Sequence, residues 1–208
     1  MKLNKENYIL GIDEAGRGCV IGPMVICGIL VEEKDIVKLK EIGVKDSKQL
    51  KPDKRERLAK KIKDIAERIV IKRISPKVID RYNLNFLELK NMAKIIEKLN
   101  PDIIYFDCPV NQRGIKKYCE ELKNLLNKKN ITPKIIGENK ADKKYEVVSA
   151  ASIIAKVERD RIIRNLKKKY GDFGSGYPSD KKTMEFLRKY YNYCLPIIRT
   201  KWRIKLIT

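Results

Sequence analysis

Residues 8–18 of the chain are Tyr-Ile-Leu-Gly-Ile-Asp-Glu-Ala-Gly-Arg-Gly. The apolar run at the start predicts a buried strand that brings two adjacent carboxylates, Asp13 and Glu14, to the end of a loop. Carboxylates in that setting suit hard divalent cations. The glycines beyond them allow left-handed backbone and close approach to a ligand, and Arg17 between them suits a phosphate. The stretch therefore indicates a metal–phosphate site, if the rest of the chain supplies partners.

The composition indicates a soluble globular protein with a polyanionic partner. The 208 residues are 43% hydrophobic and 36% charged, which is enough for one domain with a buried core. Lys and Arg number 48 against 27 Asp and Glu, an excess of +21 that favours nucleic acid. A Lys-rich thermophilic proteome would give the same excess. No apolar run approaches the ~18 residues of a membrane span, and no secretory signal is recognised.

The side chains available for chemistry exclude several enzyme classes. Histidine is absent, so Ser-His-Asp triads and His-ligated zinc are excluded. The five cysteines are irregularly spaced without a C-x-x-C pair, which disfavours a disulfide framework or zinc site and fits a reducing cytoplasm. Cys27 and Cys119 are interpreted as small core residues. Any hydrolysis must use carboxylates, lysine or metal-bound water.

Strands and helices alternate after an initial hairpin, which predicts a mixed α/β sheet. Five strands are expected, beginning at Tyr8 and covering 20–31, 68–75, 102–107 and 132–137. Asn85 and Glu88 have the spacing of a capping box. Asp142 is expected to begin one long helix, and Ser179 to cap the last one.

Acidic residues follow three of the predicted strands. They are Asp13 with Glu14, Asp107, and Asp142 just past the fifth strand. If the first and fourth strands are neighbours, Asp13 and Asp107 lie side by side at the edge where α/β sheets bind ligands. Four clustered carboxylates would repel one another without cations. Two Mg²⁺ or Mn²⁺ ions about 3.5–4 Å apart would neutralise them and support phosphodiester hydrolysis. Taken singly, each acid also fits a turn, a helix cap or a solvated position.

Several motifs together resemble type 2 ribonuclease H (ribonuclease HII), most closely its archaeal members. The opening motif and the Gly-Ser-Gly-Tyr-Pro loop are the specific signals, whereas Asp107 is placed mainly by its strand. In chain order, the matching segments are Gly11–Gly18 with Ile21–Val25, Gly43–Lys48, Asp107, Lys140–Asp142 with Val148–Lys156, and Gly171–Asp180.

The resemblance implies a ribonuclease H-like fold, with a mixed five-stranded sheet flanked by helices. It implies a single catalytic domain over residues 1–208, with a basic helical region at about 170–208 packed on it. The implied activity is endonucleolytic hydrolysis of the RNA strand of RNA–DNA hybrids. Single ribonucleotides in duplex DNA would also be incised, leaving 5′-phosphate and 3′-hydroxyl ends. By this resemblance, two divalent ions would be held by Asp13, Glu14, Asp107 and Asp142.

The resemblance also implies which residues contact the substrate. Gly16, Arg17 and Gly18 would contact the ribose 2′-OH through their backbone, and Tyr177 would pack on the sugar of the neighbouring deoxynucleotide. This fits the residues, because the 2′-OH distinguishes RNA from DNA and glycine lets backbone approach it. Lys48 would bind a backbone phosphate. Without the resemblance, Tyr177 could cover core, and Arg17 and Lys48 could be solvated loop residues.

The chain departs from the family pattern at two positions. Cys19 stands where the family usually has Pro, which puts the shape of the preceding loop in question. Lys201 stands before Trp202 where many archaeal members have His. A clamp-binding motif is not evident, so recruitment by a sliding clamp is not expected. We also expect the protein to be a cytoplasmic monomer that binds nucleic acid.

Three alternative activities fit parts of the sequence less well. A non-catalytic nucleic-acid binder of the same fold would have no use for clustered acids that face phosphates. A DNA nuclease of this fold would not need the Gly-Arg-Gly turn or Tyr177 for ribose recognition. A P-loop ATPase is disfavoured because the G-x-x-x-x-G-K-[ST] motif is missing.

Overall fold

The computed structural model describes residues 7–45 and 51–202. A five-stranded sheet in the order β3-β2-β1-β4-β5 forms its centre. The β1–β2 and β2–β3 pairs are antiparallel, whereas β1–β4 and β4–β5 are parallel. The predicted mixed α/β sheet and its opening hairpin are therefore confirmed. The strands are β1 (Tyr8–Ala15), β2 (Met24–Glu32), β3 (Arg68–Ile74), β4 (Ile103–Asp107) and β5 (Lys134–Glu138).

Helices cover both faces of this sheet because the buried strands alternate their apolar side chains between the two faces. In β1, Leu10 and Ile12 face the core that contains α4 and α5. Ile9 faces the core that contains α2 and α7. The helices are α1 (Ile36–Glu41), α2 (Pro52–Ile65), α3 (Pro76–Ile79), α4 (Leu84–Leu99), α5 (Ile115–Asn127), α6 (Ala141–Lys144), α7 (Glu146–Tyr170) and α8 (Lys181–Tyr190).

A third apolar cluster joins the C-terminal part to the beginning of the chain. Val20 and Ile21, which follow the opening motif, pack with Phe173, Leu187 and Ile198. Ile21 also forms a β-bridge with Ile198. The segment after α8 therefore lies directly against the loop that follows β1. The single-domain organisation over residues 1–208 stays a prediction.

The predicted capping box at the start of α4 is wrong. The N-cap is Asn83, whose side chain accepts a hydrogen bond of 3.2 Å from the backbone N–H of Phe86. Asn85 and Glu88 instead bind the side chain of Arg17, which lies beyond the end of β1. The two residues share the spacing of a capping box because both lie on the face of α4 that meets Arg17.

Two further helix boundaries differ from the predictions. Asp142 belongs to the short helix α6, and the extended backbone of Tyr145 separates α6 from the long helix α7. Asp142 therefore does not begin the long helix. The last helix, α8, is capped by Asp180 rather than Ser179, because the Asp180 carboxylate accepts the backbone N–H of Lys182 at 3.0 Å.

The cysteines largely follow the sequence interpretation. All five are free thiols, and Cys27, a residue of β2, lies in the core that contains α2 and α7. Cys119 is only partly buried, at the margin of the α4–α5 core. Over the described residues, no helix combines the length and apolar character that crossing a membrane requires.

Candidate active site

The predicted strand-end acids meet at one edge of the sheet. β1 and β4 are parallel neighbours, and Ile12 pairs with Phe106. Asp13 and Asp107, the next residues along each strand, therefore lie side by side. Asp13 is buried, with 6% of its surface exposed. The strand order therefore places Asp13 beside Asp107, which the sequence predicted only if the first and fourth strands were neighbours.

Burial and mutual repulsion govern the charge of these acids. Burial, together with the charge of the neighbouring Asp107, raises the pKa of Asp13 to about 6, against the opposing effects of Ser152, the backbone of Glu14 and Lys156. The backbone N–H of Glu14 donates to Asp13 Oδ1 at 2.7 Å. Burial and the charge of Asp13 raise the pKa of Glu14 well above its usual value. Without a cation, the site disfavours full ionisation of these carboxylates.

Asp142 reaches the same edge through α6. The backbone N–H of Ala141 donates to Asp107 Oδ1 at 3.1 Å, which ties the start of α6 to the end of β4. Lys140 precedes the helix in the left-handed conformation, with φ of 59°, so the chain turns sharply between β5 and α6. Asp142 follows as the second residue of α6 and is buried. The turn therefore brings a fourth carboxylate to the edge that carries Asp13.

The donor set fits divalent metal ions in its chemistry. Asp13, Glu14, Asp107 and Asp142 offer only carboxylate oxygens, which hard cations such as Mg²⁺ and Mn²⁺ prefer. Cations would also relieve the repulsion that raises the pKa of Asp13. As the side chains stand, no group of three or more His, Cys, Asp or Glu residues within 7–45 and 51–202 is arranged to hold a metal ion. The ligands therefore fit divalent metal ions by chemical type.

A cleft of about 360 Å³ opens beside Glu14. One wall is the glycine loop, Gly16–Gly18, and another is formed by α7 and Tyr177. The lining residues are Glu14, Ala15, Gly16, Arg17, Gly18, Arg55, Lys156, Arg159, Asp160 and Tyr177. The cleft thus joins one of the acids to the predicted ribose-contacting residues and to several cationic side chains.

The two glycines of the glycine loop differ in their surroundings. Gly16 has φ of +83°, and a Cβ atom there would lie 2.4 Å from the Nε atom of Arg159. Gly18 is exposed, and a Cβ atom there would meet nothing within 4 Å. The fold therefore requires glycine at position 16 but leaves space for a side chain at position 18.

The side chain of Arg17 is engaged by α4. Its Nε atom donates to Glu88 Oε1 at 2.8 Å, and its Nη2 atom donates to Asn85 Oδ1 at 2.5 Å. Glu88 is almost fully buried, and burial raises its pKa while Arg17 opposes that rise. Arg17 is therefore the counter-ion of a buried carboxylate rather than a solvated turn residue. Its contact with phosphate stays a prediction.

Tyr177 and Cys19 are both held by Arg159 of α7. The guanidinium carbon of Arg159 lies 5.1 Å from the centre of the Tyr177 ring, a cation–π contact. Arg159 Nη2 also donates to Cys19 Sγ at 2.7 Å, and Cys19 is fully buried. Tyr177 lines the cleft and keeps 36% of its surface exposed. Cys19, where the family usually has Pro, thus takes part in the packing beneath the cleft.

Comparison with known proteins identifies this arrangement. The ribonuclease HII family model matches residues 10–205. The chain belongs to the ribonuclease HII family. A ribonuclease HII from Pyrococcus furiosus is 48% identical over 199 residues, covering 92% of this chain and 87% of the relative. Membership makes the protein a nuclease of the ribonuclease H class and confirms the resemblance.

Solved structures of related proteins share the fold over nearly the whole chain. The ribonuclease H2 structure from Pyrococcus horikoshii superposes with a TM-score of 0.86 at 45% identity, covering 95% of this chain and 94% of the relative. The ribonuclease HII of Archaeoglobus fulgidus, solved in a complex with PCNA, superposes with a TM-score of 0.84 at 40% identity. That comparison covers 96% of this chain and 95% of the relative. The ribonuclease H-like fold is therefore confirmed.

Two further residues that the sequence analysis named are Lys48 and Lys201. Lys48 lies outside the described residues. Lys201, where many archaeal ribonucleases HII have His, is exposed, and its backbone N–H donates to Asp80 Oδ1 at 3.2 Å.

Sequence interpretation missed two buried arginines that support the glycine loop. Arg159 lies seven residues after Ser152, which is two helical turns along the buried side of α7. That spacing could have identified it. Arg199 is fully buried and donates to the carbonyl oxygens of Gly16 and Arg17. Local sequence around Arg199 carries no comparable signal.

Proposed function

We propose that the protein hydrolyses the RNA strand of RNA–DNA hybrids and incises duplex DNA at single ribonucleotides, with Asp13, Glu14, Asp107 and Asp142 as its catalytic residues. The observation that carries this proposal is that Asp13 and Asp107 lie side by side, with the start of α6 bonded to Asp107, next to a cleft lined by Glu14, the glycine loop and Tyr177. Membership of the ribonuclease HII family supports the same reaction class.

The four acids would hold two divalent ions, Mg²⁺ or Mn²⁺. When bound, such ions supply Lewis acidity for in-line displacement at phosphorus and leave 5′-phosphate and 3′-hydroxyl ends. The protein's own part is to hold the carboxylates at the sheet edge, where burial disfavours their ionised form until cations bind. Lys156 contributes by lowering the pKa of Asp13. The rigid ends of β1 and β4 fix the spacing between Asp13 and Asp107.

Substrate selection would combine the glycine loop with Tyr177. Backbone donors at Gly16, Arg17 and Gly18 can approach a ribose 2′-OH, because Gly18 has no side chain and is exposed. The Tyr177 ring would pack on the neighbouring deoxyribose, where a second hydroxyl would not fit. The cationic groups of the cleft wall and, outside the described residues, Lys48 would attract backbone phosphates.

The cellular setting is also part of the proposal. We expect the enzyme to act in the cytoplasm as a monomer. The ribonuclease HII of Archaeoglobus fulgidus was solved with PCNA, whereas this chain shows no evident clamp-binding motif. Gel filtration of the protein with a sliding clamp tests this expectation, and co-elution would contradict it.

The decisive assay uses a DNA duplex with one ribonucleotide, incubated with Mg²⁺, Mn²⁺ or EDTA. We expect incision at the ribonucleotide with either metal and none with EDTA. Asp107→Asn should abolish incision, because it removes a charged ligand while the amide oxygen can still accept the N–H of Ala141. Asp102→Asn, at the other end of β4, is the matched control and should leave the rate unchanged.

Two outcomes would contradict the proposal. Binding to the duplex without incision in any metal would favour the alternative, a non-catalytic nucleic-acid binder of the same fold. A wild-type rate for Asp107→Asn would remove Asp107 from the site.

A further inference from the structure

Arg199 is buried beneath the glycine loop and bonds to its main chain. Its Nη1 atom donates to the carbonyl oxygen of Arg17 at 2.6 Å, and its Nη2 atom donates to that of Gly16 at 2.5 Å. Nη2 also lies 3.3 Å from the carbonyl oxygen of Gly22, at the far end of the same turn. One guanidinium group therefore binds the backbone on both sides of Cys19.

These bonds determine the direction of the peptide N–H groups in the loop. The described chain contains no cis peptide bond, and a trans peptide holds its C=O and N–H on opposite sides. Because Arg199 binds the carbonyls of Gly16 and Arg17, the N–H groups of Arg17 and Gly18 point away from it. They are thereby directed to the open side of the loop, where Gly18 is exposed and lines the cleft.

The segment that carries Arg199 is itself anchored on the protein. The backbone N–H of Arg199 donates to the carbonyl of Val20 at 2.9 Å. The next residue, Thr200, donates to Asp80 Oδ2 through its N–H at 2.8 Å and its hydroxyl at 2.9 Å. Arg199 therefore cannot slide relative to the loop without breaking bonds on either side.

Burying a charged guanidinium group in this space carries a desolvation penalty. Burial and the nearby positive charge of Arg159 lower the pKa of Arg199 to about 10, against the opposing effects of Cys19, Tyr177 and Asp80. Carbonyl oxygens and the Trp202 ring, 4.8 Å from the guanidinium carbon, partly compensate the charge. An apolar side chain could fill such a space without the desolvation penalty. It could not orient the carbonyls.

We propose that Arg199 is a positioning residue for ribose discrimination, because it orients the N–H groups of Arg17 and Gly18 towards the substrate. This inference rests on the proposed function, in which the glycine loop contacts the ribose 2′-OH. Arg199 touches neither substrate nor metal ligands in this scheme. It acts through the main chain of residues 16–18.

The test compares binding of two duplexes that differ by one 2′-OH. The measurements use the Asp107→Asn variant as the parent, so that the duplex is not cut during binding. The ratio of its Kd for the all-DNA duplex to its Kd for the single-ribonucleotide duplex measures discrimination. Adding Arg199→Lys keeps the charge but replaces a planar fork of donors by one ammonium group. We expect the ratio to fall about ten- to hundredfold, as misplacement of a contact by ~1 Å can do. Affinity for the all-DNA duplex should stay unchanged.

Two controls separate positioning from general destabilisation. Arg161→Lys changes an arginine on the outer surface of α7 that pairs with Glu158, and should leave the ratio unchanged. Asp80→Ala keeps Arg199 but removes the bonds that anchor Thr200, and should lower the ratio less than Arg199→Lys does. This second variant keeps the inference testable if Arg199→Lys does not fold.

Each outcome of the binding test has a distinct meaning. If the Asp107→Asn parent discriminates but both the Arg199→Lys and Asp80→Ala variants keep its full ratio, the inference about Arg199 is wrong and the proposed function stands. If the parent shows no preference for the ribonucleotide, ribose contact by the glycine loop is wrong, and the inference falls with it. Restoration of the ratio in Arg199→Ala by added methylguanidinium would support positioning by the guanidinium group itself.

Discussion

The two glycines of the glycine loop offer a sharp test, because the fold requires one and leaves the other free. At Gly16 an alanine side chain would have to adopt φ of +83°, and its Cβ would lie 2.4 Å from Arg159 Nε and 2.8 Å from the carbonyl oxygen of Pro23. At Gly18 the added methyl group would meet nothing within 4 Å. Gly16→Ala should therefore damage the protein, whereas Gly18→Ala should affect only what approaches from outside.

The magnitudes follow from these surroundings. A left-handed alanine costs roughly 1–2 kcal/mol, and overpacking adds about 1–3 kcal/mol. Gly16→Ala should therefore lower the free energy of unfolding by about 2–5 kcal/mol. At about 2–4 °C per kcal/mol for a chain of this size, the Tm should fall by roughly 5–20 °C. Gly18→Ala should leave the Tm within a few degrees of wild type or raise it slightly.

Thermal unfolding and steady-state incision of a single-ribonucleotide duplex, measured on both variants, provide the assay. We expect Gly18→Ala to keep the wild-type Tm but lose about ten- to hundredfold in kcat/KM, because its methyl group would separate backbone from ribose. Arg17 is unsuitable for this comparison, since its side chain also binds Glu88. Wild-type incision by Gly18→Ala would refute close contact between this part of the loop and the sugar.

Three other predictions concern charge. Arg17→Met leaves the buried Glu88 carboxylate without its partner, so it should lower the free energy of unfolding by about 1–3 kcal/mol near pH 8. Burial raises the pKa of Glu88, so its carboxylate protonates more readily at acidic pH, and denaturant titrations that give equal losses at pH 8 and at acidic pH would contradict this pairing. In EDTA, the contribution of Asp13 to stability should fall as pH rises from 3.8 to about 6, because the folded state binds the Asp13 proton more tightly than the unfolded chain does. Mg²⁺ should reverse that fall in a thermal scan, and a Tm that does not respond to Mg²⁺ would argue against metal binding. Affinity for duplex DNA should drop at least about tenfold between about 50 and 200 mM salt, and a flat response in a binding titration would refute phosphate contact by the basic surface.

The sheet and its acidic edge could be predicted because they depend on short-range pattern. The apolar run of β1, the hairpin to β2 and the helical crossover to β4 are visible locally. A hairpin makes its strands antiparallel and a crossover makes them parallel, so the possible strand orders are few. Asp13 and Asp107 could therefore be expected together on the one condition that β1 and β4 are neighbours, which the structure meets.

Side-chain partners distant in sequence could not be predicted in this way. Glu88 has the spacing of a capping residue, but the true cap, Asn83, is of an equally suitable type and lies earlier. Arg159 falls within a charged stretch of α7 whose average composition indicates a solvated face. Its spacing from Ser152 indicates the buried side of α7, but its partners, Cys19 and Tyr177, are distant in sequence and local spacing does not identify them.

The bond between Arg199 and Gly16 joins residues 183 positions apart. During synthesis, the strand that carries Asp13 and Glu14 emerges well before Arg199 does. A ribosome-bound nascent chain can thus form much of the sheet before the guanidinium that orients the glycine loop is available. We therefore expect selectivity for ribose to be among the last properties the enzyme acquires as it folds. A chain stalled before residue 199 would hold its acids beside a glycine loop that is not yet oriented for ribose.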